Sequence, residues 1–157
     1  MTIVHGIPNT PVDVYANGTK ILSDFTFKHV AGPLQLPPGS YTVDLRKAGS
    51  SATSTPVLTA TEQVAAGESA TVVAGLTASG TPELVAFAND TGSVAAGSGR
   101  LVVRHVAAAP AVDVYAGASK VVSGLVNGQQ AALTVPAGTV PAKVTLAGPS
   151  PWLAGSA

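Results

Sequence analysis

The sequence predicts an all-β fold, built as two immunoglobulin-like β-sandwich modules in tandem, the second incomplete. Three observations carry that expectation. Short runs rich in Val, Ile, Thr and Tyr recur between clusters of Gly, Pro, Asn and Ser, which is the pattern of a sandwich. No stretch sustains a helical period of apolar residues. The chain also repeats itself. Residues 3–25 (IVHGIPNTPVDVYANGTKILSDF) align with 103–125 (VRHVAAAPAVDVYAGASKVVSGL) at one constant offset. With a single deletion the match continues, so that Leu36-Pro37-Pro38-Gly39 meets Val135-Pro136-Ala137-Gly138 and Ala48-Gly49 meets Ala147-Gly148. A repeat of this length reads as a duplicated domain, because solenoid units run to only about 20–50 residues.

The elements follow in order. Thr2–Ile7 reads as a first strand and Val12–Ala16 as a second, with Val12 and Val14 on one face and Asp13 and Tyr15 on the other. Asn17-Gly18 marks a two-residue hairpin, since a type I′ turn needs positive φ at both central residues. Lys20–Phe25 is the returning strand. Leu34–Leu36 and Tyr41–Arg46 flank the turn Pro37-Pro38-Gly39-Ser40, where proline presets φ and glycine supplies the permissive corner. Residues 48–55 (AGSSATST) form a polar loop. Val57–Val64 and Ser69–Leu76 are two further strands around Ala66-Gly67-Glu68, and Glu83–Ala88 closes the first module.

The expected domains are thus a module over residues 1–90, a small polar linker over 91–99 (Thr91–Gly99), and a partial second copy over 100–157. In that copy Ala116-Gly117-Ala118-Ser119 replaces the Asn-Gly turn, which predicts a different turn type. Thr139-Val140-Pro141 replaces Ser40-Tyr41-Thr42, so the strand there must be bonded differently. Trp152-Leu153 falls where the first copy has Val57-Leu58, and counterparts of Val64–Ala88 are missing. A sandwich short of its last strands leaves an unpaired edge and an open core. Three arrangements satisfy that: a chain that is a fragment, a half-module packed on the first domain, or a strand supplied by another chain.

Composition narrows the function classes. Acidic and basic residues balance to a formal charge of zero, so no field draws nucleic acid or anionic lipid. Charged residues make up 10% of the chain against a usual quarter, as in extracellular and wall-associated β proteins. Cysteine is absent, which removes disulfides, thiolate chemistry and Cys-based zinc sites. No apolar run is long enough to span a bilayer, so no membrane insertion is expected in this segment. Met1 leads directly into strand-like sequence, and an exported protein would have lost its leader ahead of it.

Candidate chemistry is sparse. His5 with Asp13, and His105 with Asp113, are the polar pairs placed identically in both copies. Were the first two strands neighbours, imidazole and carboxylate would meet across them, either as a metal site or held base, or as a mutually satisfied buried pair that orients the sheet. The second reading is preferred. No nucleophile repeats beside the pair, and the one further histidine, His29, has no counterpart. No G-x-S-x-G elbow and no G-x-x-x-x-G-K loop occurs. The carboxylates Asp24, Asp44, Glu62, Glu68, Glu83 and Asp90 are scattered. Asn17-Gly18-Thr19 and Asn89-Asp90-Thr91 match the glycosylation pattern but read as turn chemistry. Tyr15, Tyr41, Tyr115 and Trp152 are the aromatics available for sugar stacking, with sheet-face packing the expectation for the tyrosines. No catalytic, cofactor-binding or metal-ligating residue is assigned, and no cofactor is expected.

His5 followed by Pro11-Val12-Asp13-Val14-Tyr15, a short hairpin, Lys20 and Leu36-Pro37-Pro38-Gly39-Ser40-Tyr41-Thr42-Val43 resembles the DUF4397 family of bacterial and archaeal proteins. The resemblance implies an all-β fold, tandem copies and an exported or surface location. It implies no catalytic residues. The expected function is a non-enzymatic extracellular or cell-surface structural or adhesion module that spaces or assembles through sandwich surfaces and strand edges. The alternative is a carbohydrate- or polymer-binding module using loop aromatics. Expected partners are a second copy, by edge pairing or strand donation, a surface polysaccharide, or another surface protein.

Overall fold

A computed structural model of the protein describes residues 1–148. Among them the fold is all-β, in two compact units, Met1–Thr91 and the described residues from Gly92 onward.

The first unit holds eight strands: β1 (Thr2–His5), β2 (Val12–Ala16), β3 (Thr19–Phe25), β4 (Val30–Ala31), β5 (Gly39–Lys47), β6 (Leu58–Val64), β7 (Ala70–Leu76) and β8 (Pro82–Ala88). They make two four-stranded sheets, β4-β1-β7-β8 and β3-β2-β5-β6. All neighbours are antiparallel except β1 and β7, which run parallel with Ile3 beside Val72 and His5 beside Ala74. The sandwich expected from the sequence is present, with its own strand order. The immunoglobulin order places the first two strands side by side, whereas here β1 and β2 lie in opposite sheets. Ile3, Ile7, Val12, Val14, Phe25, Leu45 and Ala74 form the core between the sheets.

Local chemistry explains where the elements stop. Asn17 and Gly18 both have positive φ, 48° and 80°, as a type I′ hairpin demands. The Asn17 side chain also accepts the Thr42 N–H at 2.8 Å, tying the turn to β5. β3 carries a bulge between the pairs Val14–Leu22 and Val12–Phe25, with Asp24 at φ 52°. The strand expected over Leu34–Leu36 does not form. Pro33, Pro37 and Pro38 lack the N–H that a ladder needs, and the Leu34 N–H turns instead to the Met1 carbonyl at 2.6 Å. The first strand ends at His5, two residues before the expected Ile7, because the Ile7 N–H is taken by the His5 ring.

The second unit repeats this plan as far as its described residues run: β9 (Ser98–Arg104), β10 (Val112–Ala116), β11 (Ser119–Leu125), β12 (Gln130–Pro136) and β13 (Ala142–Leu146). Its sheets are β11-β10-β13 and β12-β9. β9 opens at Ser98, inside the stretch read as linker, because Ser98 and Gly99 pair with Pro136 and Val135 of β12. β12 is a strand the sequence reading missed. Its counterpart β4 is only two residues long, since Ala132-Leu133 replaces Gly32-Pro33 and the ladder continues. The β10–β11 turn does differ in type: Gly117 has φ 61° while Ala118 lacks positive φ, the II′ pattern. β13 starts only after Pro141 and spans five residues against nine in β5. Trp152-Leu153 lies outside the described residues.

One register position measures what the second unit lacks. Leu45 on β5 faces Val14 across the pair and is 2% exposed. Val144 on β13 holds the same place opposite Val114 and is 58% exposed. Leu45 is covered by the sheet containing β7 and β8, and strands of that kind are absent from the described residues of the second unit. Leu45→Ala is therefore expected to cost about 2–5 kcal/mol, and Val144→Ala less than about 0.5 kcal/mol. Urea unfolding of the two variants checks this, and equal losses would contradict it.

Candidate functional site

The repeated polar residues are brought to separate places. His5 and Asp13 do not meet, because the strands that carry them belong to opposite sheets. Each is satisfied by backbone instead, which corrects the expectation of a mutual pair.

His5 is fully buried where the chain crosses from one sheet to the other. Its Nδ1 accepts the Ile7 N–H at 3.1 Å and its Nε2 donates to the Thr10 carbonyl at 2.7 Å. These roles select the tautomer with hydrogen on Nε2. Its backbone N–H donates to His29 O and its carbonyl accepts the Lys28 N–H. His105 repeats the scheme with Ala107 N–H at 3.4 Å and Pro110 O at 2.9 Å, and through its backbone with Gln129 and Gly128. The imidazole is a peg for the crossover loop, with both nitrogens engaged.

Asp13 is buried on the outer side of β2. Its Oδ1 accepts the N–H of the bulge residue Asp24 at 2.9 Å. Its Oδ2 accepts the Gly49 N–H at 3.1 Å and pairs with Lys20 Nζ at 3.3 Å. Asp113 does the same with the Gly124 N–H at 2.9 Å and Lys120 at 3.1 Å. The bulge N–H of Asp24 first, then Gly49 and Lys20, hold the Asp13 carboxyl below the ordinary aspartate range. Gly124 and then Lys120 do so for Asp113. Hydrogen bonding to the carboxylates pushes Lys20 and Lys120 above the ordinary lysine value. Both partners are thus kept charged. The arrangement suits ion pairing.

The tyrosines are buried or half-buried. Tyr15 is 5% exposed, with Lys20 Nζ 5.7 Å and the Arg46 guanidinium 5.5 Å from its ring centre. Tyr115 carries Lys120 at 6.0 Å and Lys143 at 4.8 Å. Tyr41 donates its hydroxyl to Pro37 O at 2.6 Å. Asn89 is engaged through its side chain with Ser69 and Thr71, and Asn17 sits in its turn. Among the described residues no group of three or more His, Cys, Asp or Glu side chains could hold a metal ion. A cleft of about 290 Å³ in the first unit is lined in part by Leu34, Leu36, Val64 and Glu68, where the Glu68 carboxylate accepts the Ala65 N–H at 2.8 Å.

The second unit differs from the first in its strand edges. β1 has strand neighbours on both sides, β4 and β7, whereas β9 has only β12 among the described residues. Beside β9 opens an apolar groove of about 270 Å³ whose walls include Val103, His105, Val112, Leu125 and Val144. The sequence hinted at this through the missing counterparts of Val64–Ala88. It did not show which edge would be open, because that depends on sheet order.

A sequence family described as Domain of unknown function (DUF4397) matches residues 1–115. The chain belongs to the DUF4397 family. The matched stretch runs from β1 through the second Val-Asp-Val-Tyr segment on β10, so it contains both His/Asp sets described above. No curated protein and no solved structure matches the chain.

Two outcomes test the structural role of the DUF4397 carboxylates. A depressed aspartate stabilises the fold fully above the ordinary carboxylate pKa, and that contribution is lost as pH falls through the lowered value. Asp13→Asn should therefore flatten part of the acid limb of stability, and Asp13→Asn with Asp113→Asn most of it, in urea midpoints followed from pH 7 towards 2. An unchanged acid limb would contradict the role. At the bulge, Asp24→Gly should be neutral or stabilising by up to about 1 kcal/mol, and Asp24→Val destabilising by about 1–2 kcal/mol, because positive φ suits glycine and penalises a β-branched residue.

Proposed function

We propose that this DUF4397 protein is a non-enzymatic extracellular or cell-surface structural module, which spaces or assembles through its sandwich surfaces and strand edges. The observation that carries the reading is the edge of β9, a strand paired on one side only among the described residues and next to an apolar groove. An open edge offers a row of backbone donors and acceptors, the basis of assembly by strand addition. The low charge of the chain and the use of its repeated His and Asp side chains as backbone anchors support the same reading. The carbohydrate reading is less well supported, since a sugar platform needs an open aromatic face and Tyr15 and Tyr115 are each stacked by two cations.

Antibody raised against the protein should label intact cells of its natural source, and external protease should remove that label. Labelling only after the cells are broken open would overturn the surface assignment.

A further inference from the structure

We propose that the first unit carries a binding site for a small primary alkylammonium ion, with Glu62 as its counter-charge and the adjoining cleft as the seat of the alkyl chain. This goes beyond the assembly reading and rests on a different part of the molecule.

Glu62 breaks the pattern of its strand. Along β6, Leu58, Ala60, Glu62 and Val64 are half-buried, and Thr59, Thr61 and Gln63 between them are exposed. The inward face calls for apolar side chains, and at Glu62 it holds a carboxylate. Its cross-strand neighbour is Tyr41 on β5. Both line an apolar pocket of about 20 Å³, together with Ile3, Ile21 and Val43. Among the described residues no cation pairs with Glu62: Lys20 goes to Asp13, and Arg46 to Asp44. The Tyr41 hydroxyl is engaged with Pro37 O, and the Met1 ammonium with Leu34 O at 2.8 Å. Burial pushes the Glu62 carboxyl above the ordinary glutamate value, with no opposing charge to bring it down. Asp13, with its two backbone N–H groups and Lys20, is the opposite case.

Charge and shape select the ligand. A desolvated carboxylate without a partner gains most from a cation brought against it. A space of about 20 Å³ holds about one water-sized group, which fits the compact head of a primary ammonium and not a planar guanidinium. Leu36 and Val64 are walls both of this pocket and of the cleft of about 290 Å³. An ammonium against Glu62 can therefore lay its alkyl chain along Leu36 and Val64 into the cleft. A peptide strand suits this cleft less well. Backbone groups of its walls are taken up within the unit: the Ala65 N–H by the Glu68 carboxylate, the Glu68 N–H by Ala65 O, and the Leu34 N–H by Met1 O.

The probe is n-hexylammonium chloride, titrated into the full chain and followed by NMR shifts of the Leu36 and Val64 methyl groups. The expected result is saturable binding with a Kd of about 1 mM or tighter. n-Hexanol and hexanoate should bind about tenfold or more weakly, and Glu62→Gln should weaken hexylammonium by a similar factor. That variant keeps the side-chain shape and removes a charge that burial disfavours, so its stability should match or exceed that of the parent, which urea unfolding verifies. Glu68→Gln, on the exposed turn that lines the cleft, should change the affinity by less than about twofold. Glu62 sits on an edge strand, where an inward charge also discourages edge pairing. If that is its whole role, hexylammonium will leave the methyl shifts unmoved, and the proposal fails. It fails equally if hexanol binds as tightly as hexylammonium, or if Glu62→Gln and Glu68→Gln have the same effect. Binding of Nα-acetyl-lysine methylamide without binding of hexylammonium would replace the small molecule by a lysine side chain and overturn the assignment.

Discussion

The second strand of each unit depends on one buried carboxylate. Asp13 lies in a strand whose five residues are all buried, and nothing in β2 itself satisfies it. Its three partners come from two other segments: the bulge N–H and the Lys20 side chain of β3, and the turn after β5. A buried, unpartnered carboxylate would cost several kcal/mol, so the three must be present together. That requirement fixes where β3 bulges and where β5 ends, and with them the hairpin register that seats Val12, Val14 and Phe25 in the core. Asp113 imposes the same conditions on β10, β11 and the chain after β13.

The histidines solve a different problem. A sandwich whose first two strands lie in opposite sheets needs a short crossover with its backbone groups satisfied away from water. His5 and His105 provide a donor and an acceptor on one rigid ring, filling the inside of that loop. The two residue types that looked most like chemistry are thus occupied in holding backbone. Repetition preserved them because each copy needs the same anchors. The surroundings were free to change: Phe25 became Leu125, Asp24 became Gly124, and the cation over the tyrosine moved from Arg46 to Lys143.

The contrast between the units follows from the same plan. Anchors on β1, β2, β3 and β5 are enough to form a hairpin, a crossover and the first pair of each sheet, and the second unit has all of these. They do not supply the strands that face β5. Among its described residues the second unit therefore holds its register beside an open groove, and β12 runs to seven residues on the side where β9 is paired. In the first unit β7 is buried along nearly its whole length, which shows how much of the core that one strand closes.

Much of this was legible from residues alone. The duplication, the Asn17-Gly18 hairpin, the strands around Val-Asp-Val-Tyr and the shortage of late strands in the second copy all rest on local pattern or on self-comparison of the chain. Turn chemistry and alternation act over a few residues, so they show in a linear text. The separation of His5 from Asp13 did not show. Eight residues apart in sequence, they are parted by sheet order, which is settled by which strands pair over distances of tens of residues. β12 was missed for a related reason: its strand character comes from its ladder with β9, whereas its counterpart is interrupted by Pro33. The sequence by itself determined an all-β duplicated chain and the residues that would be anchors. Only the tertiary structure decided what each anchor holds and which strands pair, because both depend on partners brought together by folding.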